Sequence, residues 1–207
     1  MKKIKHLFVL AIASVAFAAA CGSQSSSNNP VDPHAGMDHS KMDHSAMKSS
    51  PDAAKADYDL QFIDTMIVHH QGAVDMAKML PEKAQHSEIK KLGIVIIAAQ
   101  EREIGEMKAW REKWFAGKPP AINMELAGMT ASMAGMDMKK LGSLSGNAFD
   151  LEFIKQMIPH HDGAIAMAQE ALKRSQKDEV KTLAKSIINE QQGEIEEMKR
   201  WQSEWSK

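Results

Sequence analysis

Residues 66–79 read MIVHHQGAVDMAKM and residues 157–170 read MIPHHDGAIAMAQE. Met66, His69, His70 and Met76 in the first stretch have counterparts in Met157, His160, His161 and Met167 in the second. Imidazole nitrogen and thioether sulfur are neutral, soft donors. Together they suit Cu(I), and Ag(I) by the same logic; imidazole alone also takes Cu(II) or Zn(II). One His-His pair, or methionines at helical spacing, is ordinarily surface or core material. Two matched stretches in one chain point instead to metal binding.

Helical geometry brings these groups together. With about 100° between successive residues, Met66, His69, His70, Ala73, Met76 and Ala77 share a stripe about 120° wide. Met66 stands one turn before both histidines, where side chains are neighbours. Gly72 and Ala73, like Gly163 and Ala164, are small enough to admit a ligand or a second helix. A stripe of this kind faces a core, where each imidazole needs a hydrogen-bond partner. Glu103 and Glu194 can serve in two ways: as ligands of a harder site, or as acceptors of the second ring N–H that orient the histidines.

A second Met/His pattern lies upstream. In HAGMDHSKMDHSAM, residues 34–47, His34, His39 and His44 recur every fifth residue, and so do Met37, Met42 and Met47. These six are candidates for auxiliary metal capture. Residues 115–148 hold five more methionines, at 124, 129, 133, 136 and 138.

The elements that carry the stripes are duplicated. YDLQFIDTMIVHHQGAVDMA (58–77) lies over FDLEFIKQMIPHHDGAIAMA (149–168), and IIAAQEREIGEMKAWREKW (96–114) over IINEQQGEIEEMKRWQSEW (187–205), without a gap. Helices are expected at about 59–80, 88–114, 150–173 and 179–205, with PEKAQH as a turn and Ser87 and Asp178 as N-caps. One helical hairpin cannot bury its own apolar face; two packed together can. The expected fold is therefore all-α, a four-helix bundle over residues 57–207. Repeat 1 spans 58–114, a Met-rich linker 115–148 and repeat 2 149–205. The linker either crosses the bundle, carries short helical pieces or is mobile. Pro159 stands where the first repeat has Val68; it removes an N–H and predicts a kink beside His160. Trp110, Trp114, Trp201 and Trp205 read as packing at the bundle end, and His86 has no evident partner in its turn.

Composition places the chain. A formal charge of −1 over 207 residues gives no sign of a nucleic-acid partner. MKKIKH followed by LFVLAIASVAFAAA has the layout of a bacterial signal peptide, residues 1–20. Cys21, the single cysteine, then marks a lipidation site and a membrane anchor, with ordinary cleavage after Ala20 as the alternative. Residues 21–56, rich in Ser, Asn, Pro and Asp, read as a flexible arm. Export to the periplasm or cell envelope is an oxidising setting, where a soft-metal site is safer with Met and His than with Cys.

The pattern F-I-x-x-M-I-x-H-H-x-G-A-x-x-M-A, followed by QEREIGEMKAW in one repeat and QQGEIEEMKRW in the other, resembles the bacterial domain-of-unknown-function family numbered 305. The resemblance covers 58–114 and 149–205. It implies a ferritin-like four-helix bundle, copper binding through Met and His, and a role in copper tolerance. By position it adds Met107 and Met198 to the candidate ligands.

The leading expectation is a non-catalytic, exported protein that sequesters Cu(I) or delivers it to a copper exporter or another copper chaperone. A copper-dependent oxidase on a ferritin-like bundle is a rival, although the Glu-x-x-His step of di-iron bundles is missing from the sequence. A metal-free structural or adaptor bundle is the other.

Overall fold

The computed structural model describes residues 47–207. The expected signal peptide, Cys21 and the arm positions His34, Met37, His39, Met42 and His44 lie outside the described residues. After a 3-10 turn at Ala53–Lys55 come α1 (Tyr58–Ala77), α2 (Leu80–Lys83), α3 (Ser87–Phe115), α4 (Met129–Ala134), α5 (Met138–Ser143), α6 (Gly146–Arg174) and α7 (Asp178–Trp205). No strand occurs among the described residues, and the fold is an all-α bundle.

Local chemistry sets the helix ends. The Asp57 carboxylate accepts the Asp59 N–H at 2.8 Å and caps α1. That helix stops at Ala77, not at 80, and Leu80–Lys83 form a separate helical turn where PEKAQH predicted a plain turn. Pro81 explains the break: it cannot continue a hydrogen-bond ladder but fits the first turn of a new helix. Ser87 and Asp178 are the first helical residues rather than the caps, which are His86 and Lys177. Sequence alone places such boundaries to within a residue or two. α6 begins at Gly146 and stays helical through Pro159 to Arg174.

α1 packs on α3 and α6 on α7, and the two hairpins meet through α1 and α6. Reciprocal contacts lock them together. The buried Asp150 carboxylate on α6 accepts the N–H groups of Gln85 and His86 at 3.1 and 2.9 Å. The equivalent Asp59 on α1 accepts the Gln176 N–H at 3.2 Å. Each hairpin thus satisfies the turn of the other. His86 has a partner after all. Its Nδ1 lies 2.7 Å from Asp150 Oδ2, and its ring stacks on Trp205 at 3.9 Å. Trp201 and Trp205 stack at 5.4 Å, and Trp110 and Trp114 at 5.6 Å.

The segment between the hairpins is folded: α4 and α5 both lie on α6. Its lead-in is pinned to α1 by a buried network. Arg111 donates to Asp64 at 3.2 Å and to the Lys118 carbonyl at 2.8 Å. Asp64 also accepts the Ala121 N–H at 2.9 Å, and Thr65 Oγ1 accepts the Asn123 N–H at 2.9 Å. This cover buries the far side of α1 as well, so Asp64, Thr65, Ile67 and Val68 are as enclosed as the Met/His stripe. Residues 47–56, read from the sequence as the end of the flexible arm, are held against the linker. Ser50 N–H donates to the Ile122 carbonyl at 2.8 Å, Ser49 Oγ accepts the Met124 N–H at 3.0 Å, and Ala53 is buried. Residues 47–56 satisfy backbone groups that the linker leaves open.

Candidate metal centre

The duplication turns the two His-His pairs into one row of imidazoles. α1 and α6 cross with His69 against His160, ring centroids 3.8 Å apart and planes tilted by 33°. His70 lies 6.3 Å from His69, and His161 lies 6.2 Å from His160. All four are fully buried. The row ends on carboxylates supplied by the outer helices. His70 Nε2 is 2.7 Å from Glu103 Oε2 on α3, and His161 Nε2 is 2.7 Å from Glu194 Oε2 on α7.

These contacts fix which ring nitrogen carries the proton. A carboxylate only accepts, so Nε2–H of His70 and His161 donates, and Nδ1 is the nitrogen that a neutral ring would offer to a ligand. His69 follows by a different route. Its Nε2 is 3.1 Å from Ser132 Oγ, and that hydroxyl already donates to the Met129 carbonyl at 2.8 Å. With that hydroxyl hydrogen directed at Met129, the Ser132 oxygen can accept from His69 Nε2–H, and Nδ1 is then the nitrogen left over. The Nδ1 atoms of His69, His70 and His161 are buried with no hydrogen-bond partner. Burial holds His69 well below its ordinary pKa of 6.5, and the neighbouring His160, His70 and His161 push in the same direction. A neutral ring with an uncommitted lone pair is what a metal ion requires.

Met66, Met76, Met107, Met157, Met167 and Met198 are all buried in the same apolar cluster. Among the described residues no three His, Cys, Asp or Glu side chains gather as a metal-binding group. Thioether sulfur beside imidazole nitrogen would suit a soft ion. Met47, the arm candidate among the described residues, is half-buried and outside the cluster.

A family described as a domain of unknown function, DUF305, matches residues 59–202. The chain belongs to the DUF305 family. Three solved structures of CopM resemble this DUF305 chain closely. CopM in the Cu(II)-bound form is 44% identical with a TM-score of 0.62, over 71% of this chain and 97% of that one. The Cu(I)-bound form is 42% identical with a TM-score of 0.61, over 71% and 96%. The Ag-bound form obtained by co-crystallization is 41% identical with a TM-score of 0.61, over 71% and 96%. No curated protein matches the chain.

Sequence reading missed what the DUF305 linker brings to the row. Ser132 hydrogen-bonds His69, and Met136 lies beside His160. A Cβ on Gly72 would stand 3.3 Å from Met136 Sδ and 3.5 Å from His160 Nε2. Gly72 thus keeps open the space that a thioether and an imidazole share. Gly163 does the same for the linker backbone, since a Cβ there would fall 2.6 Å from Ser132 Oγ and 2.8 Å from the Gly128 carbonyl. Gly128, at φ 80°, makes the tight approach possible. The one signal in the sequence was the spacing of Met129, Met133 and Met136, which fits one buried helical face.

Proposed function

We propose that this protein binds copper in the buried His/Met row and works as a non-catalytic store or carrier that contributes to copper tolerance. The observation that carries the reading is the set of buried Nδ1 atoms on His69, His70 and His161 without a hydrogen-bond partner, each on a ring whose Nε2 is engaged elsewhere. The donor set fits the cargo. His69, His70, His160 and His161 supply nitrogen, and Met66, Met76, Met107, Met157, Met167 and Met198 supply sulfur. Glu103 and Glu194 hold the outer rings in place. Neutral soft donors in an apolar core favour Cu(I) over Cu(II) or Zn(II). Copper-bound forms of CopM, at 42–44% identity, support the same reading.

The basic and apolar residues before Cys21 support export, and Cys21 supports a lipid anchor in the cell envelope. His34, Met37, His39, Met42, His44 and Met47 would gather copper ahead of the bundle, and an exporter or second chaperone would receive it. No helix among the described residues is long and apolar enough to cross a membrane.

The test is an anaerobic Cu(I) titration against a competing chelator. Three full-length proteins are compared: the parent, one with His34, His39 and His44 changed to Ala, and one with His69, His70, His160 and His161 changed to Ala. Tight binding should survive the first set of changes and disappear with the second. Tight binding that follows the arm, or survives the bundle changes, would assign the row to core packing.

A further inference from the structure

The row must be reached from outside. α3 and α7 approach each other much less closely than α1 and α3 or α6 and α7 do. Grooves run along the seam between them, one past Arg102, Glu106 and Glu190, another past Val95, Glu190 and Glu194. Both share Glu190. Below it lies a small cavity whose polar lining is Gln100, Glu103, Glu190, Gln191 and Glu194. Glu103 and Glu194 are the same carboxylates that hold His70 and His161.

Two features favour a positive charge in this cavity. Gln100 and Gln191 are 2% and 3% exposed, and the Oε1 atom of each has no hydrogen-bond partner. A buried carbonyl oxygen left in that state costs free energy unless something positive meets it. The same two residues occupy equivalent places in the two repeats, so the cavity is lined symmetrically from α3 and α7. Arg102 supplies the second feature. Its Nη2 lies 3.3 Å from Glu103 Oε1 and 3.8 Å from Glu190 Oε2, placing a cation across the seam. Burial pushes the Glu190 carboxyl up, and the Glu103 and Glu194 charges add to it while Arg102 opposes. Mutual repulsion among the three carboxylates is what an entering cation relieves.

We propose that the α3–α7 seam holds a transit site for the copper cation, with Glu190 collecting the ion and the Gln100 and Gln191 carbonyls passing it to the histidine row. This rests on the reading of the row as the copper site. Oxygen donors hold Cu(I) weakly, which suits a site that an ion must leave as easily as it enters. Arg102 guards the mouth by competing for the same carboxylates.

Stopped-flow uptake of Cu(I) from a chromophoric chelator complex, run anaerobically on the full chain, tests the route. Uptake should slow at least about threefold in Glu190→Gln, the loss expected when one steering charge leaves an acidic cleft. It should also slow in the Gln100→Leu/Gln191→Leu double variant and quicken in Arg102→Gln. Equilibrium affinity for Cu(I) should stay at the parent value in all three, with helicity checked by circular dichroism. Parent-like rates in Glu190→Gln and Arg102→Gln, which alter exposed side chains and leave the core intact, would overturn the transit site. Equal losses of rate and affinity in Glu190→Gln would also overturn it, making Glu190 part of the holding site. A parent chain that takes up no Cu(I) would overturn the copper reading itself.

Discussion

The chemistry of single residues turns on which imidazole nitrogen is left free. Glu103 and Glu194 commit Nε2–H of His70 and His161 and so fix the orientation of the rings they hold. Changing Glu103 or Glu194 to Ala should weaken Cu(I) binding by about 10–100-fold, read by chelator competition. Undiminished affinity would mean that these contacts serve packing alone. His69 gives a second handle through pH. Its folded-state pKa lies well below 6.5 because the buried ring resists charge. The unfolded chain therefore binds the extra proton first, and stability of the metal-free protein rises with pH. It is fully present above the unfolded pKa and is lost as pH falls below it, with a slope approaching about 1.4 kcal/mol per pH unit for this one group. Urea unfolding of metal-free protein from about pH 7.5 down to about pH 5 should show the loss, and His69→Phe should flatten it. The histidine pairs were legible because the duplication repeats them. Ser132, 63 residues from His69, was not, because nothing local ties a linker hydroxyl to a helix histidine.

At the scale of elements, the hairpins are held by side chains that cap each other's turns. Asp150 meets two backbone N–H groups and the His86 ring, so Asp150→Ala leaves several part-buried donors unmatched. It should cost about 3 kcal/mol in urea unfolding. Asp59→Ala gives up a single N–H from Gln176 and should cost less. An equal cost for the two would show that the reciprocal contacts are not what joins the hairpins. Glycine contacts allow a second contrast. Gly163→Ala drives a Cβ against the Gly128 backbone, which cannot yield, whereas Gly72→Ala meets the flexible end of Met136 at 3.0 Å. Gly163→Ala should destabilise by about 1–3 kcal/mol and Gly72→Ala by less. The four long helices were readable from periodicity and repetition. The end of α1 was not, because Leu80 continues the apolar pattern while Pro81 breaks the ladder. The folded linker was also hidden. Its order comes from Arg111, Asp64 and Asn123, which pair across long stretches of sequence.

For the whole molecule, duplication is the organising fact. Two copies of one hairpin meet through α1 and α6, so two His-His pairs become a single row with a carboxylate at each end. One hairpin alone would present half a row on an uncovered apolar face. The transit site proposed at the α3–α7 seam would give the row its access. The most direct test of the account is X-ray absorption at the copper edge. The sample is the full chain with His34, His39 and His44 changed to Ala, loaded with one equivalent of Cu(I) without oxygen. The expected spectrum has a mixed shell of imidazole nitrogen and thioether sulfur. A shell of sulfur alone, or of oxygen with no imidazole scattering, would contradict the assignment of copper to the paired histidines.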